Sequence, residues 1–344
     1  MPEYRYILTG LGNIGRNFLE ITRARERLLA ERYGIALRAV GVADSSGALY
    51  DPAGLDLDQI IALKQARQGV AALATASRPL LDVRELVASA EAAFLLEATP
   101  TNLRDGQPGL DLVRTALRRG LHAVLASKGP LVLAYQELVR LTGPGTLSFS
   151  GAVCGGLPTV NVGRRDLAAS HIRRVDGIFN STTQVILGLM AAGEPYTAAL
   201  AEAQRRGIAE PDPALDVDGW DAASKLVILA NAVLGQPATL ADVLVTGIGG
   251  VTAEAARAAS TAGGRLSLLA TAEESARSYA LRVAPVALPA GHPLARLALD
   301  EMAIIYYTDI YGRIMVTSAE EGPAGAAAAM LRDLLDVIQG GRQP

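Results

Sequence analysis

Ile7-Leu8-Thr9-Gly10-Leu11-Gly12-Asn13-Ile14-Gly15-Arg16-Asn17-Phe18-Leu19 is the stretch on which the fold turns. A short apolar run enters Gly-x-Gly-x-x-Gly, and Phe18, Leu19, Ile21, Leu28 and Leu29 then recur at broadly helical spacing. This predicts strand, tight turn and helix. Glycines there let the backbone turn sharply and approach a diphosphate, whose charge is met by the N–H groups and dipole at the helix start. Gly10, Gly12, Asn13, Ile14 and Gly15 are therefore candidate contacts to a dinucleotide. A glycine-rich turn with no ligand is the competing reading.

Outward from this turn, strand-like and helical stretches alternate. Residues 36–43 read as a strand ending at Asp44, and 92–97 as a short strand before Ala98-Thr99-Pro100-Thr101. A helix over 110–119 stops at Gly120, and 122–126 form another strand ending at Ser127-Lys128. Such alternation predicts a parallel, doubly wound sheet of the Rossmann-like α/β class, with ligands gathered at the carboxyl ends of its strands. Asp44 either accepts from a ribose hydroxyl, which favours NAD, or caps the turn before Ser45-Ser46-Gly47. Arg38 and Lys64 stand as possible partners of a 2′-phosphate, so NAD and NADP both remain open. Thr99, Pro100 and Lys128 share the strand-end position of cofactor contacts; for Lys128 a surface lysine is the alternative.

The texture changes after Gly143-Pro144-Gly145, which places a domain boundary near residue 150. In the second half, Asp221 and Lys225 lie four apart at the start of an apolar helical run, 226–234. An exposed ion pair at that spacing contributes only about 0.2–0.5 kcal/mol. Beside an apolar face, however, the two charges must meet each other or a polar cavity, and such a lysine is a candidate proton donor. Upstream, Glu210, Asp212, Asp216 and Asp218 crowd one loop, either solvated or built to receive an ammonium group. Ser181 and Gln184 match a capping-box spacing at the head of an apolar helix, where Thr182 and exposed N–H groups suit a carboxylate. Residues 303–317 predict a strand pair with an edge for subunit pairing, and 326–338 a closing helix.

Composition narrows the function classes. The 344 residues carry a net charge of −3 without long basic blocks, which argues against nucleic acid and for a small-molecule partner. A single cysteine, Cys154, excludes an intrachain disulfide framework and fits a reducing, cytoplasmic compartment. No leader or spanning run is evident. The three histidines, His122, His171 and His292, lack metal-ligand spacing, so a metal hydrolase is poorly supported.

Taken together, these segments resemble homoserine dehydrogenase over nearly the whole chain. Gly207-Ile208-Ala209-Glu210-Pro211-Asp212-Pro213 through Asp216, Gly219, Asp221 and Lys225 keeps every charged position of the family's signature; Gly177-Ile178-Phe179-Asn180-Ser181-Thr182-Thr183, Ala126-Ser127-Lys128 and Glu97-Ala98-Thr99-Pro100-Thr101 are similar to further family segments. The resemblance implies NAD(P)-linked interconversion of L-homoserine and L-aspartate 4-semialdehyde, in the route to threonine and methionine, by a homodimer. It assigns the proton and developing alkoxide to Lys225 and Lys128, the orientation of Lys225 to Asp221, and the substrate's amino group to Glu210 and Asp216, with Thr182 beside the substrate. It implies a nucleotide domain over 1–149 completed by a helix at about 323–344, and an α+β catalytic and dimerisation domain over 150–322. Three departures stand out. Ser150-Gly151-Ala152-Val153-Cys154-Gly155-Gly156-Leu157-Pro158 has serine where the family has glutamate, at the segment whose Val153 and Gly155 would border a sodium or potassium ion. Ser127 and Ser181 replace the usual Asn and Gly, and Gly322-Pro323-Ala324-Gly325 is a short form of a nicotinamide-side loop, with Gly325 its cofactor contact. No regulatory domain is expected after the last helix. A dehydrogenase of the same fold acting on another hydroxy-acid, and a non-catalytic nucleotide-binding paralogue, are the competing functions.

Overall fold

A computed structural model describes residues 1–276, 278–319 and 322–340. The chain forms two compact units, the first comprising Met1–Gly156 together with the segment from Gly322, the second beginning at Leu157.

The first unit is built on a sheet of β1 (Glu3–Thr9), β2 (Ala36–Asp44), β3 (Gly47–Tyr50), β4 (Phe94–Glu97), β5 (His122–Leu125) and β6 (Leu147–Ser148), in the order β3-β2-β1-β4-β5-β6. All neighbours are parallel except the β2–β3 hairpin. Strand order departs in both directions from β1, so the loops after β1 and β4 flank the switch point where such sheets bind ligands. Tyr6, Leu8, Phe94, Leu96 and Val124 are buried, as their continuous apolar runs require of a sheet covered on both faces. The C-terminal helix Ala324–Ile338 returns to this unit and buries Ala327, Met330, Leu331 and Leu334 in the same core as Phe18 and Leu19. Gly325, expected in a loop, lies in the first turn of that helix, because Pro323 serves as its N-cap and the alanine run propagates from there.

The second unit carries β7 (Ile172–Ile178), β8 (Val243–Val245), β9 (Arg265–Ser275), β10 (Ser278–Leu288), β11 (Glu301–Thr308) and β12 (Arg313–Ala319), ordered β12-β11-β7-β9-β10-β8. The predicted strand pair is β11–β12, antiparallel from Glu301↔Ala319 to Tyr307↔Arg313. Of this pair β12 is an edge of the sheet, as β8 is at its other side, whereas β11 is enclosed between β12 and β7. The helices Ser181–Ala191, Trp220–Ala232 and Ala253–Thr261 pack on this sheet through β9. Mixed α/β architecture with two such sheets matches the expected fold class. Among the described residues no helix is long and apolar enough to cross a membrane.

Candidate functional site

Each glycine of the first turn meets a different requirement. Gly10 has φ +87°, and a Cβ there would lie 2.3 Å from the Ala98 carbonyl oxygen, so only glycine lets the β1 turn press against the end of β4. At Gly15 a Cβ would lie 2.0 Å from the Gly10 carbonyl, which fixes helix against strand. Gly12 faces open space instead, and caps the helix Asn13–Ala24 with no side-chain hydrogen bond. The helix start therefore presents backbone N–H groups on the side where an anion can approach.

The strand ends beside this turn are joined by Glu97. It is fully buried, and its carboxylate accepts from the Thr99 N–H at 2.8 Å, from the Thr99 hydroxyl and from the Ser127 hydroxyl. Burial raises its pKa, against those hydrogen bonds. Next to Ser127, Lys128 caps the helix Gly129–Leu141, and its N–H meets Thr101 Oγ1 at 3.4 Å. Pro100 is exposed and Thr99 half-buried. Sequence reasoning assigned no task to Glu97; an acidic residue closing an apolar strand was the available signal.

Asp44 ends β2 as predicted, and the Ser46 side chain and N–H, Val70 N–H and Lys64 Nζ all donate to it. Arg38, by contrast, pairs with Glu3 at 2.5 Å.

In the second unit Asp216, Asp221 and Lys225 of the charged signature fold into one cluster. Gly219, at φ +87°, starts the helix Trp220–Ala232, whose residues Leu226 to Ala230 are buried. Asp221 and Lys225 form the expected pair, Nζ to Oδ2 at 2.7 Å, with side chains 13% and 11% exposed. Lys225 also donates to the Phe179 carbonyl at 2.5 Å. Asn180 Nδ2 donates to Asp216 Oδ1 at 2.7 Å and to Asp221 Oδ2 at 3.1 Å, bridging the two carboxylates. Asp216 has a raised pKa, from burial first and then from the charge of Asp221. It lies on a helical turn, Ala214–Val217, inside what the sequence presents as a loop.

One expectation needs correction here. Asn180, not Ser181, caps the helix Ser181–Ala191 by accepting from the Thr183 N–H at 3.0 Å, and Gln184 donates to the Glu301 carbonyl rather than closing a capping box. The cap sits one residue earlier because Asn180 has the extended conformation that an N-cap needs. Glu210 is exposed and outside the bonded cluster. Thr182 is buried, its hydroxyl donating to the Ile208 carbonyl at 3.2 Å.

At the segment bordering a family cation, Ser150 is buried and donates both its N–H, at 2.7 Å, and its hydroxyl to Asp333 of the C-terminal helix. Donors therefore occupy the position where a cation needs an anionic oxygen, and Val153 and Gly155 follow without a carboxylate of their own. Among the described residues no group of three or more His, Cys, Asp or Glu side chains is placed to hold a metal. Ser150, with its N–H and hydroxyl both given to Asp333, does not replace the family's glutamate as an anionic ligand for a sodium or potassium ion.

Comparison with known proteins accords with this geometry. Residues 158–335 match the family model described as homoserine dehydrogenase, and residues 2–105 match that of glutamate/leucine/phenylalanine/valine dehydrogenase. A homoserine dehydrogenase of Methanocaldococcus jannaschii is 32% identical over 96% of this chain and 97% of its own length. An NAD(+)-dependent homoserine dehydrogenase of Pseudomonas canavaninivorans is 31% identical over 98% and 97%. The crystal structure of the Thermoplasma acidophilum homoserine dehydrogenase superposes with a TM-score of 0.83 at 27% identity, covering 98% of this chain and 99% of that one. With Asp216, Asp221 and Lys225 of the signature assembled and relatives matched over nearly the whole chain, the chain belongs to the homoserine dehydrogenase family.

Proposed function

We propose that the chain interconverts L-homoserine and L-aspartate 4-semialdehyde with NAD or NADP, and that the Asp216–Asn180–Asp221–Lys225 cluster handles the substrate. The buried ion pair of Lys225 and Asp221, with Asn180 tying in a second carboxylate, is the observation that carries this reading. Homoserine brings an ammonium, a carboxylate and a primary alcohol. Two carboxylates beside one ammonium leave the cluster net negative, which suits Asp216, with Glu210 at the exposed rim, to the substrate's amino group. The helix start at Thr182 suits its carboxylate.

Lys225 is held by Asp221 and the Phe179 carbonyl, which fix the position of its Nζ. On oxidation its neutral amine takes the alcohol proton and becomes the ammonium as hydride leaves the carbon; on reduction that ammonium returns the proton to the aldehyde oxygen. Lys128 contributes a second positive group at a strand end. A bound nicotinamide supplies the two-electron exchange with the substrate carbon. Gly10, Gly12, Asn13, Ile14 and Gly15 cradle its diphosphate, and Thr99 and Pro100 line the adjoining strand end. We assign no step to a metal ion. The molecule is read as a cytoplasmic homodimer, for which the β12 edge and the lone buried Cys154 speak.

Substituting Lys225→Ala tests the assignment. Homoserine-dependent formation of reduced nicotinamide is expected to fall by about 10²–10⁴-fold, with dinucleotide affinity by equilibrium titration unchanged. Undiminished turnover would remove Lys225 from the mechanism.

A further inference from the structure

In dinucleotide folds, the acidic residue that ends the second strand ordinarily accepts from the ribose hydroxyls and excludes a 2′-phosphate. Asp44 occupies that place, yet its carboxylate is already full. Oδ1 accepts from the Ser46 N–H at 2.8 Å and the Ser46 hydroxyl at 2.6 Å, and Oδ2 from Lys64 Nζ at 2.6 Å and the Val70 N–H at 3.1 Å. A carboxylate has about four lone-pair sites, so a ribose hydroxyl finds none vacant.

The pair is also locked in place. Asp44 and Lys64 side chains are only 8% and 15% exposed. Lys64 Nζ donates as well to the Gln68 carbonyl at 2.9 Å, and Ser46 Oγ accepts from the Ala71 N–H at 3.1 Å. Gly69 packs so closely that a Cβ would fall 2.5 Å from Ser46 Oγ. Burial opposes the charge on Asp44, but the hydrogen bonds from Lys64 and Ser46 outweigh it and keep the group ionised. The end of β2, the helix Leu57–Gln65 and the turn Val70–Leu73 are thus knitted around one neutralised carboxylate.

Resting on the dinucleotide reading of the first unit, we infer that the Asp44–Lys64 pair sets coenzyme choice. It withdraws the carboxylate from the ribose and cancels the charge that would repel a 2′-phosphate, so NAD and NADP are both accepted.

Dissociation constants of the intact protein for NADH and NADPH, by quenching of protein fluorescence, and for ADP and 2′,5′-ADP, by calorimetry, test this apart from turnover. The wild type is expected to hold the two dinucleotides within about tenfold of each other, a modest difference for one neutralised charge. Lys64→Met exposes an uncompensated carboxylate and should weaken NADPH and 2′,5′-ADP at least about tenfold while sparing NADH and ADP. Asp44→Asn should shift the ratio the opposite way, and Lys64→Arg should keep the wild-type ratio, showing that the charge rather than a folding defect is responsible. A wild type that binds NADPH more than about a hundredfold more weakly than NADH, or a ratio unmoved by Lys64→Met, overturns the proposal. Failure of the wild type to bind either dinucleotide would instead overturn the reading of the first unit, and this proposal with it.

Discussion

Asp216 illustrates how a residue can serve a substrate at the expense of the fold. Its pKa is raised by burial and by Asp221, so the native chain binds this proton more tightly than the unfolded chain does. Stability from this group is therefore complete below the ordinary aspartate range, and it is lost as pH rises through the raised native value. Asp216→Asn keeps the oxygen that accepts from Asn180 and removes the ionisation cost. Thermal melts near neutral pH are expected to show a gain on the order of 1 kcal/mol, with a smaller gain in acid, while the KM for homoserine rises. A variant less stable at neutral pH would contradict this account. At this scale the sequence was legible where partners are close: Asp221 and Lys225 are four apart on an apolar helix. Asn180 stands 36 and 41 positions from the carboxylates it bridges, a separation that no local pattern reveals. The same limit hid Lys64 from Asp44.

Elements ending where the chemistry begins depend on braces of this kind. Glu97 closes β4, and the Thr99 and Ser127 donors around it tie the strand ends after β4 and β5 together. Glu97→Ala would leave those donors unmatched, the Ser127 hydroxyl buried, at a cost of about 1–3 kcal/mol. Urea unfolding should show that loss, and faster amide exchange at Thr99 should accompany it; Glu97→Gln, which keeps an acceptor, should lose less. Equal losses in the two variants would mean that hydrogen bonding is not the reason for a carboxylate here. Helices and central strands were foreseeable because burial imposes their periodicity. The short edge strand β3 and the turn Ala214–Val217 were not, since four residues carry too little pattern and their neighbours in space decide them.

Across the whole molecule, the first unit is assembled from both ends of the chain. Its core needs Ala327, Met330, Leu331 and Leu334, and Asp333 is buried against Ser150. Truncation after residue 319 should therefore abolish protected amides in β1 and β4 while leaving those of β9 and β10 intact, as read by hydrogen exchange. Protection surviving in the first unit would show that the last helix is dispensable. The sequence announced the alternation of the first half and the change of texture after residue 145. The core that the final helix joins was named by the family resemblance and not by the helix itself, because an apolar helical stripe does not name its partner.

Such a layout also constrains biosynthesis. A ribosome making this polypeptide releases the inner unit as an uninterrupted stretch, whereas the outer one waits, incompletely covered, until synthesis has passed Leu334. Nascent chains thus display apolar surface for most of their translation, and a message cut short yields material for chaperones and proteases, not a smaller enzyme.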